Sequence, residues 1–261
     1  MNSNPKISII TITYNSEKTL EETIKSVLSQ KYDNLEYLII DGGSRDKTMD
    51  IVEKYRSKID FVVSEPDNGI SDAFNKGIWN ATGEIIGIIN SDDILLPGAL
   101  KALFEAYEEG VDVYRGNTVV WNDTNDVKTR VRPAMKFKLS KPVGNVCHQS
   151  TFICKRCYES FGAYNVSFKY MMDADVLYRF SRAGVRFKYV DYDMALFRLG
   201  GVTSSNYKKK LSEIHDVVIT NGGSKFLAAY RCAHFVVYNI IKSIFYGLLG
   251  SDRARKLKYK N

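Results

Sequence analysis

Two adjacent carboxylates, Asp92 and Asp93, follow directly after a predicted buried strand at residues 84–89. Neighbouring carboxylates at such a position repel each other, and this is costly unless a cation or a ligand compensates their charge. One or two carboxylates plus phosphate oxygens form a typical environment for protein-bound Mg²⁺ or Mn²⁺. The same pair could instead cap the following turn. The pair alone therefore leaves open a divalent-metal site and a capped turn.

A glycine-rich segment, DGGSRDKT at residues 41–48, follows a second apolar run. Its glycines allow the backbone to approach a ligand closely, and the helix expected after it offers a positively polarised N-terminus. The segment lacks the Lys-Ser/Thr pair of a P-loop and the glycine spacing of dinucleotide-binding motifs. Those two nucleotide-binding motifs are therefore disfavoured.

Alternating strands and helices are predicted to bring both segments to one edge of a sheet. Buried-strand patterns are found at residues 6–14, 35–40, 59–64 and 84–89. Amphipathic helices are predicted at residues 17–30, 46–55 and 70–80. This order predicts a parallel sheet whose ligands bind beyond the carboxyl ends of the strands. All four strands end in polar, glycine-rich or acidic residues, which predicts one wall of a binding site.

The pattern changes after residue 111. Further strands are predicted at residues 111–120, 145–153 and 186–190. Further helices are predicted at residues 97–107, 173–183, 208–219 and 226–249. Between them, residues 197–205 contain Gly200 and Gly201, which indicate a flexible loop. We expect this second part to complete the site that the first part begins.

Motifs spread over residues 6–205 occur in an order and at a spacing that point to one family. They are TYN at 13–15, DGGSRDKT at 41–48, SEPDNGISDAFNKGIWNATGEIIGIINSDD at 64–93, HQS at 148–150, FGAY at 161–164, DADVLYR at 173–179 and FRLGGVTS at 197–204. Together they resemble the family 2 glycosyltransferases of the GT-A fold, and among these the bacterial O-antigen, capsule and exopolysaccharide enzymes.

The resemblance implies an α/β fold of the GT-A type with a defined domain organisation. Residues 1–205 would form the GT-A domain, with a Rossmann-like, mostly parallel nucleotide-sugar-binding half at 1–110. Residues 111–205 would form the acceptor and catalytic half, and residues 206–261 a helical, basic C-terminal tail.

The resemblance also implies roles for individual residues toward a nucleotide-sugar donor, with UDP favoured as its nucleotide. Asp41 would accept a hydrogen bond from the uracil ring, Asp92 would contact the ribose, and Asp93 would hold Mn²⁺ or Mg²⁺ on the diphosphate. The other residues implied to contact donor or acceptor are Thr13, Tyr14, Asn15, Asp72, Asn75, Lys76, His148, Arg198, Gly200 and Gly201.

Two carboxylates are implied to act in catalysis. Asp173 would be the base that deprotonates the acceptor hydroxyl, and Asp175 would support the site. Met172 stands where many members of the family have Glu, so the choice between Asp173 and Asp175 as the base stays open. A single base opposite the leaving diphosphate would give one in-line displacement with inversion at the anomeric carbon.

The expected function is therefore inverting transfer of a sugar, most simply from a UDP-sugar, to a hydroxyl of a saccharide in bacterial surface polysaccharide synthesis. A polyprenyl phosphate as direct acceptor is an alternative, and its phosphate would need no strong base. A non-catalytic sugar-nucleotide-binding scaffold is a second alternative, disfavoured because Asp41, Asp92, Asp93 and Asp173 are all present. Nucleic-acid binding is disfavoured because none of the common recognition motifs occurs.

The charge of the chain is concentrated at its C-terminus. The formal net charge is +7, and residues 225–261 carry all of it, since they hold eight Lys/Arg and one Asp. Arg231, Lys242 and Arg253 recur every eleven residues and predict a basic stripe on a helix at 226–249. The apolar residues predicted on another side of this helix are Leu227, Tyr230, Val237, Ile241, Ile244 and Leu248.

This charge pattern predicts that residues 226–261 lie on a membrane surface and do not span the bilayer. The helix could instead pack on the catalytic domain or against a second subunit, as in a homodimer. Because no secretory signal pattern is visible at residues 1–12, we expect a cytoplasmic enzyme, peripheral on the inner face of the membrane, where a lipid-linked saccharide acceptor would lie.

Overall fold

The structure, a computed structural model, describes residues 4–122, 126–142, 146–199 and 206–249, with side chains described up to residue 244. One curved sheet of nine strands forms the centre of the fold, in the order β3-β2-β1-β4-β8-β6-β9-β5, with β7 paired to β6. The strands of its first half are β1 (Ile7–Thr13), β2 (Leu35–Asp41), β3 (Phe61–Ser64) and β4 (Ile85–Ile88). These four strands pair in parallel, as predicted.

Strand β1 forms the middle of the first half because its residues are apolar on both faces. Ile7, Ile9 and Ile10 are fully buried, as expected for a parallel strand covered by helices on both sides. The helices of this half are α1 (Leu20–Leu28), α2 (Thr48–Lys54), α3 (Ile70–Asn80) and α4 (Ala99–Ala106). Helix α3 packs so closely on β1 that a Cβ at Gly77 would come within 2.4 Å of Ile10 Cγ2.

A buried carboxylate ties the beginnings of three parallel strands together. Glu36 of β2 accepts hydrogen bonds from Lys6 Nζ at 3.0 Å, Ser8 Oγ at 2.5 Å, and the backbone N and Oγ1 of Thr82 at 2.8 and 2.5 Å. Burial by itself would raise the pKa of Glu36, but these hydrogen bonds outweigh it and lower the pKa to about 2.

The second half of the sheet is mixed. It contains β5 (Ile94–Leu95), β6 (Val113–Asn122), β7 (Val127–Val131), β8 (Thr151–Cys154) and β9 (Phe187–Arg198). Strand β8 joins the two halves and pairs antiparallel with both β4 and β6, whereas β6 and β9 are parallel. Helices α5 (Lys155–Phe161) and α6 (Met172–Arg182) connect β8 to β9.

Several element boundaries differ from those predicted. The predicted strand at 145–153 is a 3-10 turn at His148–Ser150 followed by β8, because polar side chains there turn toward the site. The predicted strand at 186–190 extends to Arg198, because β9 pairs with β6 through a register shift near Asn117. Strand β3 begins at Phe61, and α4 begins two residues after Pro97.

Two helices, α7 (Tyr207–Thr220) and α8 (Lys225–Leu249), follow the sheet and confirm the predicted helical extension. In the part of the chain that the structure describes, no helix combines the length and the apolar character needed to cross a bilayer.

The predicted basic stripe on α8 is wrong at Arg231. This side chain is 4% exposed and points into the protein, donating hydrogen bonds to Leu139 O, Lys141 O and Tyr178 Oη. Two carbonyls and a hydroxyl accept hydrogen bonds from Nη1 of the guanidinium, an arrangement that periodicity along the helix does not reveal.

Candidate active site

The loops that follow β1 and β2 are locked together by hydrogen bonds. Gly42 N donates to Thr13 O at 2.9 Å, extending the pairing of the two strands beyond their ends. Asn15, with φ 49°, donates its backbone N to Ser44 Oγ at 2.8 Å and accepts from Arg45 N at 2.9 Å through Oδ1. The predicted binding residues Thr13 and Asn15 therefore contribute to one rigid wall at the carboxyl edge of the sheet.

Asp41 lies beneath this wall and organises it. Its side chain is fully buried and accepts hydrogen bonds from Gly43 N, Ser44 N, Ser44 Oγ and Ser64 Oγ. A carboxylate that accepts this many bonds from its own loop fixes the loop's shape. The predicted hydrogen bond from Asp41 to a uracil ring stays a prediction.

Tyr14 and Asp67 pack against Gly42 on this wall. A Cβ at Gly42 would lie 2.5 Å from Asp67 Oδ2 and 3.4 Å from Tyr14 Cδ2, so a larger residue would displace the Asp67 carboxylate. Tyr14 is 59% exposed, so one side of its ring is available to a flat ligand. Asp67, which holds Gly69 N at 2.8 Å, was not predicted as a site residue. The sequence held one signal for Asp67, namely its position in the polar segment that follows the third predicted strand.

Three predicted binding residues on α3 are engaged with neighbouring chain segments. Lys76 pairs with Glu65 at 2.8 Å and donates to Pro66 O at 3.0 Å. Asp72 accepts from Asn68 N at 2.9 Å, which attaches the preceding loop to the first turn of the helix. Asn75 exchanges two hydrogen bonds, of 2.8 and 2.9 Å, with the backbone of Tyr164. These contacts hold the loop at 65–69 and attach α3 to the second half of the molecule.

The two adjacent carboxylates after β4 differ in environment. Asp93 is fully buried, accepting from Gln149 Nε2 at 2.7 Å and from Arg198 N at 3.1 Å. Burial, and then the charge of Asp92, raise the pKa of Asp93 to about 7. Asp92 is partly exposed, and burial raises its pKa above the ordinary value. Of the two, Asp92 is the carboxylate that a ligand can reach.

His148 joins the two halves of the site. Its Nδ1 lies 3.1 Å from Asp173 Oδ2, and its Nε2 lies 3.3 Å from Asn90 Oδ1. Phe74 packs against the ring edge-to-face at a centroid distance of 5.0 Å. Burial lowers the pKa of His148, but the Asp173 carboxylate outweighs burial and the pKa is raised. Asn90, one residue beyond the predicted strand, was not predicted as a site residue.

Asp173 and Asp175 lie on different faces of α6. Asp173 faces His148, and its Oδ1 is buried without a hydrogen-bond partner. Asp175 pairs with Arg179 at 3.0 Å and accepts from Asn221 Nδ2 at 2.8 Å, which attaches α6 to the end of α7. Residues two apart on a helix do not share a face. Asp173 therefore lies in the candidate site beside His148, whereas Asp175 attaches α6 to α7, and the catalytic roles of both stay predictions.

Arg198 lies at the rim of the site, at the end of β9. Its backbone N binds Asp93, its guanidinium pairs with Glu22 at 2.8 Å, and it lies over the Trp121 ring at 4.7 Å. Gln149 and Trp121 also lie at the site, and neither was predicted as a site residue. They contact it only because the sheet brings β6 and β9 close to the end of β4. The predicted loop residues Gly200 and Gly201 lie outside the described residues.

The residues present fit a hard divalent ion that receives most of its ligands from a substrate. Within the described ranges, no three His, Cys, Asp or Glu side chains converge as a preformed metal cage. Asp92 supplies an accessible carboxylate whose charge is poorly compensated by the protein. One carboxylate plus diphosphate oxygens is an environment that Mg²⁺ accepts, and Mn²⁺ favours similar ligands.

The fold and the site define a GT-A glycosyltransferase. Solved structures with this fold include S. aureus TarS in complex with UDP-GlcNAc, which aligns with a TM-score of 0.68 over 96% of this chain and 77% of the other, at 19% identity. A mannosyltransferase from Pyrobaculum calidifontis in complex with GDP-Man and Mn²⁺ aligns with a TM-score of 0.62 over 97% of this chain and 78% of the other, at 18% identity. At identities of 18–19% these similarities show a shared fold and nothing more.

The chain belongs to the family described as Glycosyl transferase family 2, whose sequence pattern matches residues 8–162. An uncharacterised glycosyltransferase of Mycobacterium tuberculosis is 30% identical over 187 residues, covering 69% of this chain and 70% of the relative. A PGL/p-HBAD biosynthesis glycosyltransferase of Mycobacterium bovis is 26% identical over 213 residues, covering 79% of this chain and 82% of the relative. The protein is thus a glycosyltransferase enzyme, as the motifs predicted.

Proposed function

We propose that this enzyme transfers a sugar from a UDP-sugar to a hydroxyl of a lipid-linked saccharide, with inversion, in the synthesis of a bacterial surface polysaccharide. One observation carries the proposal: His148 brings the Asp173 carboxylate to Asn90, at the strand end that also holds Asp92. A candidate base and a candidate diphosphate site are thereby connected. The structure neighbour in complex with UDP-GlcNAc supports the donor class, and the relative named for PGL/p-HBAD biosynthesis supports a biosynthetic role.

The donor would lie along the carboxyl edge of β1 to β4. The exposed ring of Tyr14 suits a flat nucleobase. Asp41 and Asn15 keep the loop beside this ring in shape. Lys76 and Asp72 fix the neighbouring loop, and Asp92 faces the ribose and diphosphate.

The metal assignment moves from Asp93 to Asp92 in this proposal. Asp93 is buried and uses both oxygens within the protein, so it orients Gln149 and the end of β9. Asp92 would hold Mn²⁺ or Mg²⁺, and a bound ion would neutralise charge on the leaving diphosphate. Arg198, at the rim, adds positive charge near Asp92.

Asp173 would take the proton of the acceptor hydroxyl as its oxygen attacks the anomeric carbon. The new bond forms from that oxygen while the bond to the diphosphate breaks on the opposite face, and the electron pair leaves with the nucleotide. A single displacement of this kind inverts the anomeric centre. The Asp173 side chain is 20% exposed, so an acceptor hydroxyl can approach it, although Oδ1 itself is buried and has no hydrogen-bond partner in the described protein. His148 holds the other oxygen and fixes the carboxylate.

A polyprenyl phosphate acceptor remains the rival within the same enzyme class. A phosphate is already ionised near neutral pH and needs no base, whereas a sugar hydroxyl does. The partnered and oriented Asp173 favours the hydroxyl. We further propose that the enzyme works at the cytoplasmic face of the membrane, where a lipid-linked saccharide is accessible to it.

The decisive experiment is a screen of UDP-, GDP- and dTDP-sugars for thermal stabilisation of the full-length protein, with Mn²⁺ and then with EDTA. We expect a UDP-sugar to raise Tm only when metal is present. The stabilising donor is then incubated with saccharide acceptors, and the anomeric configuration of the product is read by NMR. A retained configuration, or equal stabilisation in EDTA, would contradict the proposed mechanism.

A further inference from the structure

Helix α8 presents an apolar stripe to solvent. Phe226 is 90% exposed, and the other members, each 54–60% exposed, are Tyr230, Val237, Ile240, Ile241 and Ile244. Their spacing of three, four and seven residues places them on one helical face about 27 Å long. Residues 225–249 contain no Asp or Glu. A continuous exposed apolar face of this size in an otherwise polar surface indicates an interaction site.

The opposite face of α8 is fixed to the catalytic domain, so the stripe cannot turn inward. Arg231 donates to the carbonyls of Leu139 and Lys141 at 2.5 and 2.7 Å and to Tyr178 Oη at 2.9 Å. Tyr178 belongs to α6, the helix that also carries Asp173. The orientation of α8 is therefore tied to the second half of the active site.

The segment that Arg231 holds is strongly basic. Residues 127–142 contain six Lys/Arg and no Asp or Glu. Phe137 is buried, and Arg115 donates to Ala134 O, so the segment lies firmly on the domain with Lys136, Lys138 and Lys141 exposed. Beyond α8, residues 250–261 add five Lys/Arg against one Asp. The segment that α8 contacts through Arg231 and the sequence that follows α8 are thus both basic.

We propose that the apolar stripe of α8 binds an anionic lipid membrane, with attraction to its charge from the basic segment on which the helix packs. An apolar helix face flanked by basic residues binds the interface of anionic bilayers through burial and charge together. A second copy of the chain suits the surface less well, because a symmetric dimer would bring two equally basic surfaces together. The inference rests on the proposed function in one respect: membrane binding would give the enzyme access to a lipid-linked acceptor.

The test is flotation of the full-length protein with vesicles, which requires no donor, acceptor or turnover. Vesicles of phosphatidylcholine with phosphatidylglycerol are compared with phosphatidylcholine alone. Val237→Asn with Ile241→Asn removes apolar surface, and Lys136→Glu with Lys138→Glu reverses charge. Val166→Asn, at a residue 58% exposed elsewhere on the surface, is matched to Val237, which is 54% exposed, and Lys31→Glu is the matched charge control.

We expect the wild-type protein and both controls to float with anionic vesicles. The apolar double variant should bind roughly tenfold more weakly or worse, and each charge reversal should cost about fivefold or more. Unchanged flotation of the α8 variant would overturn the proposal. Equal binding of the wild-type protein to neutral and anionic vesicles would also overturn it. So would an α8 variant that still binds vesicles but loses a dimer seen by light scattering without lipid. Donor binding is measured in a separate experiment, so a failed flotation would not contradict the proposed transfer reaction.

Discussion

At the residue scale, similar carboxylates have different environments and therefore different roles. Asp92 is accessible while Asp93 is buried and hydrogen-bonded to Gln149 and the backbone of Arg198. Asp173 meets His148, whereas Asp175 meets Arg179 and Asn221. In both pairs the sequence offers two equivalent acids close together, and exposure and partners separate a reacting group from a structural one.

The first prediction concerns the base. Asp173→Asn should lower kcat by about 10²–10⁴-fold while leaving donor affinity unchanged, because a base acts in the chemical step. Asp175→Asn should keep kcat within a few-fold but lower the free energy of unfolding by about 1–3 kcal/mol, since it weakens a buried ion pair. Steady-state kinetics, donor titration and denaturant unfolding distinguish them. A normal kcat in Asp173→Asn would remove the base assignment or favour a phosphate acceptor.

The second prediction separates Asp92 from Asp93. Asp92→Asn should leave stability nearly unchanged and weaken Mn²⁺-dependent donor binding by roughly 10–100-fold, because it removes the accessible carboxylate. Asp93→Asn should instead destabilise the fold by about 1–3 kcal/mol, because the amide cannot accept both hydrogen bonds equally well. Calorimetric donor titration with and without EDTA, beside thermal unfolding, measures both. If the two results are exchanged, the metal belongs to Asp93 as the sequence predicted.

At the element scale, polar contacts at the strand ends determine how the parallel strands are aligned and joined. At one edge, the loops after β1 and β2 bond to each other around Asn15 and Ser44. At the other edge, Glu36 accepts hydrogen bonds from Lys6, Ser8 and Thr82, which lie at the starts of neighbouring segments. Hydrophobic strands alone would pair in several registers, and these buried hydrogen bonds select one.

The third prediction follows from the low pKa of Glu36. A carboxyl whose pKa is about 2 in the folded protein and 4.5 when unfolded contributes stability that is complete above pH 4.5. That stability is lost as the pH falls through about 2. Glu36→Gln should cost on the order of 2 kcal/mol near neutral pH and flatten this acid dependence. Urea unfolding at a series of pH values measures the effect. Glu105→Gln, at an exposed helical position, is the control and should behave as wild type.

At the scale of the whole molecule, the two halves of the sheet and the helical extension meet around the candidate site. His148 connects the first two, and Asn75 attaches α3 to the segment at Tyr164. Asp175 and Arg231 attach the two C-terminal helices to α6. The C-terminal helices are therefore part of the structure that positions Asp173.

The fourth prediction tests this attachment. Arg231→Met should lower the free energy of unfolding by about 2–4 kcal/mol, because buried acceptors lose a charged donor. The matched variant Lys225→Met, at an exposed residue of the same helix, should change it by less than about 0.5 kcal/mol. Thermal and urea unfolding are sufficient. Equal stability of the two variants would show that α8 is only loosely associated with the domain.

Much of this protein could be predicted from the sequence because the relevant signals are local. Buried strands, their polar ends and the helices between them follow from residue periodicity, and the motifs indicate the family. The glycosyltransferase activity and the GT-A fold are confirmed. The roles of the individual site residues stay predictions.

Only the tertiary structure distinguished residues that look alike along the chain. The sequence presents Asp92 beside Asp93, and Asp173 near Asp175, without indicating which is buried. Arg231 belongs to a regular basic pattern, yet it is buried because carbonyls of residues 139 and 141 and the hydroxyl of Tyr178 lie within its reach. Asn90, Gln149 and Trp121 enter the site through contacts between distant strands. Burial and hydrogen-bond partners arise from residues far apart in sequence, and periodicity carries no information about them.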